Sequence, residues 1–250
     1  MGGKNAQIVL DDADLDLALE GVLWGAFGTT GQRCTATSRL VLQRGIHDQF
    51  VGRLAERAER LVLGDGRQPG IDVGPLIHEE SRAKVERYVG IGREEGATLV
   101  TGGGRPEGEG LGNGHFFRPT IFTGVKPGSR LEQEEIFGPV LSVVRVDSAD
   151  EAFRVNNDVK YGLSSSLYTR DLSLAFRAMQ DLDNGITYVN APTIGAEAHL
   201  PFGGVKQTGN GHREGGWEVY EFYSETKVCY VDYSGTLQRA QIDNYLGTPD

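Results

Sequence analysis

The chain alternates between short apolar runs and longer amphipathic stretches, and this alternation constrains its fold more than any other feature. Residues 7–10, 38–43, 98–101, 163–168 and 186–190 are short and rich in aliphatic and β-branched side chains, as strands are. Between them, residues 11–27 place Leu15, Leu19, Val22, Leu23 and Ala26 on one helical face, and residues 47–62 do the same with Phe50, Leu54, Ala58 and Leu61. Residues 81–95 and 171–182 also read as helices, and 116–122 and 139–146 as extended chain. Ser148 and Glu151 have the spacing of a capping box for a helix over 150–157. Recurring strand and helix predict an α/β fold with a largely parallel sheet, flanking helices and helical crossovers.

The pattern stops near residue 190. Residues 191–216 are glycine-rich and aperiodic, and 102–114 form a glycine-rich surface loop. Residues 224–233 alternate again, through Thr226, Val228 and Tyr230, as a lone strand that needs a host for its edges. The tail 234–250 is polar.

Charge and cysteine content narrow the function classes. Acids outnumber bases 35 to 25 across 250 residues, without a basic cluster, which argues against a nucleic-acid partner. No stretch has the length and apolarity of a membrane span, and the N-terminal residues lack a signal-peptide core. The two cysteines, Cys34 and Cys229, are too few and too far apart for a disulfide framework or a zinc site, which fits a reducing, cytoplasmic compartment. His47, His78, His115, His199 and His212 show no metal-ligand spacing and read mostly as surface residues.

Cys34 is the residue with the most chemistry around it. It follows Gly31-Gln32-Arg33 at a helix-to-strand junction. A thiolate is the nucleophilic form of cysteine, and neighbouring cations or backbone amides favour it. The plain alternative is a small buried hydrophobe. Cys229, inside the alternating terminal run, reads as packing.

Four segments in order resemble the C-terminal half of the NAD(P)-dependent aldehyde dehydrogenase superfamily. They are Gly2-Gly3-Lys4-Asn5, Gly31-Gln32-Arg33-Cys34, Glu134-Glu135-Ile136-Phe137-Gly138-Pro139-Val140, and Asn190 followed by Pro201-Phe202-Gly203-Gly204-Val205-Lys206-Gln207-Thr208-Gly209. The resemblance implies that Cys34 attacks an aldehyde, passing through a thiohemiacetal and a thioester to the carboxylic acid, with the Cys34 amide as one oxyanion donor. It implies NAD or NADP as cofactor, with Glu135 on the nicotinamide ribose and Phe137 beside the ring. It makes 201–216 a return segment near the substrate tunnel, lined by Phe202. Apart from the resemblance, Glu134 and Glu135 would read as solvated and Phe137 as core.

The resemblance also implies a division of the chain: a catalytic, nucleophile-bearing domain over 3–195, a return segment over 196–222 toward the cofactor domain, an oligomerisation strand over 223–233, and a tail over 234–250. Homo-dimers or tetramers are then expected. Family members are longer, and their N-terminal Rossmann half and general base have no counterpart here, so a truncated chain with weak or no activity and poor cofactor retention is expected. Residues 190–197 resemble the amino-acid and oxo-acid semialdehyde branches. There Arg33, with the Gly195 and Ala196 backbone, would hold a distal carboxylate, and Glu197 could meet an ammonium group. A guanidinium suits that role; a surface or interdomain salt bridge is the plain alternative for Arg33. Two other function classes remain: a non-catalytic assembly module, and a cofactor-free cysteine esterase.

Overall fold

A computed structural model describes residues 2–108 and 110–236. Its first helix starts later than the acid-rich stretch suggests. The Asp14 carboxylate accepts hydrogen bonds from the amides of Asp16 and Leu17. This cap fixes α1 at Leu15–Phe27 and leaves residues 11–13 as a turn after β1 (Asn5–Val9). A short 3₁₀ turn, Gly28–Gly31, links α1 to the loop before β2 (Thr37–Gln43). Helices α2 (His47–Glu59) and α3 (Glu79–Glu94) precede the hairpin-like pair β3 (Thr98–Thr101) and β4 (Thr120–Thr123). The single turn α4 (Arg130–Gln133) leads into β5 (Val140–Val146) and α5 (Ala149–Asn157). Then come β6 (Tyr161–Gly162), β7 (Ser164–Tyr168), α6 (Leu172–Asp181), β8 (Ile186–Val189), β9 (Val205–Lys206) and α7 (Glu218–Phe222).

Seven strands form one sheet in the order β3-β4-β5-β2-β1-β7-β8. Only the β3–β4 pair is antiparallel; every other neighbour is parallel. The largely parallel α/β sheet expected from sequence is therefore present. Both faces are covered, which is why the strands are apolar on both sides. Val9, Leu40 and Leu42 pack with Leu19, Phe50 and Leu54 beneath α1 and α2. Ile8, Val41 and Val144 pack with Val85, Phe153 and Ala178 beneath α3, α5 and α6.

Three local expectations are revised. Residues 116–119 are not strand; Phe116 and Phe117 are buried in irregular chain, and Pro119, without an amide hydrogen, directly precedes β4. The Ser148 hydroxyl caps α5 through the Glu151 amide at 3.2 Å, but the Glu151 carboxylate reaches the Asp147 amide instead of closing the box on Ser148. Residues 224–233 form no strand and lie exposed. Among the described residues no sheet hosts their backbone donors and acceptors, which is the condition the sequence reading set for that strand. Of the tail 234–250, residues 237–250 lie outside the described residues.

Candidate active site

The first three family-like segments converge because of sheet topology. Gly2-Gly3-Lys4 precedes β1, Cys34 precedes β2, and Glu134 to Phe137 precede β5. These strands are adjacent and parallel, in the order β5-β2-β1. Their amino ends therefore lie on one edge of the sheet, and so do the three segments.

Gly3 is the hinge of the cluster. Its amide donates to Glu135 Oε1 at 2.9 Å. A Cβ on Gly3 would come within 2.5 Å of the Cys34 carbonyl oxygen, so only glycine lets this strand end approach the Cys34 loop so closely. Asn5 fixes that loop from beneath: its side-chain amide donates to the carbonyls of Cys34 at 2.8 Å and Ala36 at 2.9 Å. Its Oδ1 accepts from the Ser164 amide at 3.1 Å.

A buried hydroxyl chain supports the other side. Gln7 Nε2 donates to Thr37 Oγ1 at 2.6 Å, the Thr37 and Thr193 hydroxyls are 2.8 Å apart, and Thr193 Oγ1 donates to the Thr35 carbonyl at 2.7 Å. Thr193 arrives there because the chain reverses at Asn190, φ 53°, after β8 and returns along the sheet. Ser166 and Ser164 hydroxyls pin the returning carbonyls of Ala191 and Thr193.

Two buried cations lock the edge. Arg39 is 1% exposed and spends its donors on Glu132 Oε1 at 2.7 Å and on the carbonyls of Lys4, Val155 and Asn156. Lys4 Nζ donates to the Glu134 carbonyl at 2.7 Å, directly before Glu135. Burial, with the Arg39 charge adding to it, brings the Lys4 pKa down to about 7. Sequence reasoning gave Lys4, Asn5, Arg39 and Thr193 no role. A charged residue inside an apolar strand run, as Arg39 is, was the available signal.

The Cys34 thiol is half-buried. Burial raises its pKa above the usual cysteine value; the amides of Cys34 and Thr35 oppose this, and the Glu135 carboxylate adds to it. The Arg33 guanidinium carbon, which the sequence set beside the thiol, lies 5.6 Å from the Trp24 ring centroid. The two amides are donors suited to a charge developing at Cys34.

Backbone strain flanks the site. Thr29 and Thr30, both φ 59°, precede the Cys34 loop, and Phe137 has φ 60°. Each is an unfavourable left-handed conformation for a non-glycine residue, and such positions cluster at functional sites. Phe137 is 41% exposed and so is not core. Glu134 is not freely solvated either; it accepts from Tyr88 Oη and pairs with Arg130.

The residues expected on the substrate side are more scattered. Gly195 and Ala196 are exposed, two and three residues past the anchored Thr193. Phe202 is half-buried and bridges backbone to backbone with Glu214, with no contact that links it to Cys34. The return segment does reach the site edge further on: β9 pairs with β6, and the Gly2 amide donates to the Thr208 carbonyl at 3.3 Å. Cys229 is exposed rather than packed, because the segment carrying it is undocked. His47 is buried, not on the surface, and bonds to Asp48 and Thr123. Among the described residues no cluster of three or more His, Cys, Asp or Glu could hold a metal, and no helix is long and apolar enough to cross a membrane. A groove of about 810 Å³ lined by Asp150, Phe153, Arg177 and Asp181 contains none of these site residues.

The fold is thus a doubly covered α/β sheet that brings a cysteine and a carboxylate together at its amino edge, on either side of Gly3. The profile of the aldehyde dehydrogenase family matches residues 1–229, and the chain belongs to that family. It is 40% identical to an alpha-ketoglutaric semialdehyde dehydrogenase of Bacillus subtilis, over 92% of this chain and 47% of that protein. It is 45% identical to a betaine aldehyde dehydrogenase of the same organism, over 92% and 46%. The crystal structure of betaine aldehyde dehydrogenase from Staphylococcus aureus in complex with NAD+ superposes with a TM-score of 0.87 at 39% identity, covering 89% of this chain and 44% of that one. A putative aldehyde dehydrogenase from Burkholderia cenocepacia gives a TM-score of 0.92 at 39% identity, over 96% and 48%. The chain thus spans about half the length of these relatives.

Proposed function

We propose that this chain carries the nucleophile of an NAD(P)-dependent aldehyde dehydrogenase, corresponding to the carboxyl-terminal half of its longer relatives. The observation that carries this is the meeting of Cys34 and Glu135 across Gly3. Cys34 adds to the aldehyde carbonyl, and the amides of Cys34 and Thr35 face the oxyanion that forms. Loss of hydride from this adduct leaves a thioester on Cys34, and water releases the carboxylic acid. Sulfur serves both steps, as nucleophile and as leaving group.

The residues beside Cys34 fit a nicotinamide dinucleotide. Glu135 commits one oxygen to Gly3 and keeps Oε2 for a hydroxyl donor such as a ribose, and the exposed ring of Phe137 offers an aromatic face. When bound, the nicotinamide supplies the hydride acceptor. Lys4 holds the peptide before Glu135, and so keeps the carboxylate at the edge.

Arg33 supports a carboxylated semialdehyde as substrate, with the Gly195 and Ala196 backbone and Phe202 as its other proposed contacts. Among the described residues no carboxylate lies within ion-pair distance of Arg33, so its donors are not taken up by a salt bridge. A guanidinium attracts a carboxylate and repels a quaternary ammonium. On this reading residues 3–195 are the catalytic unit, 196–222 return toward the cofactor domain, and 223–233 assemble copies. The free outer edge of β8 and the exposed Val228, Tyr230, Val231 and Tyr233 support strand pairing between copies in a homo-oligomer. The acidic charge balance and two free cysteines fit a cytoplasmic protein.

The test is protection of Cys34. In a Cys229→Ser background, a saturating semialdehyde should slow iodoacetamide alkylation of Cys34, monitored by mass spectrometry, as the thiohemiacetal forms. Alkylation at an unchanged rate with and without aldehyde would refute the assignment.

A further inference from the structure

Trp24 stands out on α1. The helix buries Leu19, Val22, Leu23, Ala26 and Phe27, yet the Trp24 side chain is 55% exposed. A large exposed aromatic on an otherwise well-packed helix calls for a reason. Two observations supply one. The Arg33 guanidinium carbon lies 5.6 Å from the indole centroid, within cation–π range. Residue 28, one turn beyond Trp24, is glycine, although its φ of −57° and ψ of 130° are open to any residue. A Cβ there would lie 2.8 Å from the indole Cε3 and 3.1 Å from Cζ3, closer than such contacts allow. Gly28 therefore serves the ring and not the backbone: it makes room for the indole in the position from which it meets Arg33.

We propose that Trp24 is a specificity-determining residue, a platform made possible by Gly28 that pre-orders Arg33 to receive the far-end carboxylate of a semialdehyde. This rests on the carboxylate reading of Arg33 above and deepens it. An unsupported arginine samples many rotamers and loses that freedom when it binds; a stacked one has lost much of it already. The guanidinium is turned onto the indole of Trp24. The charge it recognises then sits at the end of the substrate away from the carbonyl that Cys34 attacks. The substrate class is aldehydes bearing a carboxylate at the distal end of the chain, in preference to short 2-oxo acids and to cationic aldehydes.

The experiment needs no cofactor or turnover. In the Cys229→Ser background, Cys34 is alkylated with N-iodoacetyl-β-alanine and with its neutral N-methylamide, which differ only in the distal carboxylate. The rate ratio of the two probes reads the guanidinium directly. Arg33→Met sets the reference without a guanidinium, and the parent should exceed it. Trp24→Ala should lower the parent ratio roughly fivefold, the size of one exposed cation–π contact. Trp24→Phe should retain part of the preference. Gly28→Ala should lower the ratio with Trp24 still present, because the new methyl displaces the ring. Rates with the neutral probe should stay level. If the ratio survives both Trp24→Ala and Gly28→Ala but falls in Arg33→Met, the platform is refuted and the carboxylate role of Arg33 stands. If the parent shows no preference over Arg33→Met, the carboxylate reading fails and the platform with it.

Discussion

Replacing Arg39 by Met tests how the site edge is held. Arg39 and Glu132 are each 1% exposed and 2.7 Å apart. Removing the guanidinium strips Glu132 Oε1 of its cation and the carbonyls of Lys4, Val155 and Asn156 of their donor. Glu132 keeps only the Gly128 amide and the Gln133 side-chain amide, both on Oε2. A buried ion pair broken from one side costs about 3–5 kcal/mol, because a charge is left unpaired in a poorly polarisable interior. Against a typical domain stability of about 5–15 kcal/mol this is a large share. With urea m-values of about 1–3 kcal/mol/M, the unfolding midpoint should fall by at least about 1 M.

The double variant Arg39→Met with Glu132→Leu separates the causes. If the orphaned carboxylate dominates, removing it restores part of the loss, and the double variant is more stable than Arg39→Met alone. Circular dichroism and tryptophan fluorescence in urea give both values, and coincident transitions establish that two-state analysis applies. A loss below about 1 kcal/mol for Arg39→Met would show that water reaches the pair, and would refute its description as a dry clamp on the Lys4 and Glu132 loops.

Two further perturbations test the electrostatics of the same edge. Lys4 has a folded pKa of about 7 against the ordinary 10.5, so the unfolded chain binds more protons between these values and stability should rise with pH across that window. Relative to Lys4→Met, which cannot titrate, the parent should gain up to about 1.4 kcal/mol per pH unit from pH 7 to 10 in urea unfolding, and a flat difference would contradict the burial argument. Glu135→Gln removes a negative neighbour of the Cys34 thiol, so the pH profile of alkylation should move to lower pH and the rate at pH 7 should increase; an unmoved profile would place the carboxylate's influence elsewhere.

What the sequence made legible, and what it hid, divides along a physical line. Strands and helices with a clear period emerged in place, because both sheet faces are buried and each helix shows one apolar stripe. Cys34, Glu135 and Phe137 were identifiable from motifs, yet their meeting depended on strand order, which periodicity does not encode. Arg39 sat unnoticed in an apolar run, since its partner Glu132 is distant in sequence. Thr193 was invisible for the same reason: its hydroxyl matters only once the chain reverses at Asn190 and brings it to the Thr35 carbonyl. Trp24 looked like one more residue of a helix, and only the structure sets it against Arg33 and Gly28.

The position of the site also bears on the raised pKa of the thiol. In open α/β sheets, ligands usually bind beyond the carboxyl ends of the strands, where helix amino termini present free amides and positive dipole ends. Here Cys34, Gly3 and Glu135 lie at the amino ends of β2, β1 and β5. The helix leading into the Cys34 loop, α1, ends there and so turns its negative end toward that edge. A cysteine in this place gains no thiolate stabilisation from a helix dipole, and Glu135 works against it as well. Burial first, and then the Glu135 carboxylate, hold its pKa above the ordinary cysteine value, while the amides of Cys34 and Thr35 pull the other way. Those donors favour a negative charge on the sulfur, and on the reading proposed above they serve equally an oxyanion formed on a carbonyl that the sulfur attacks.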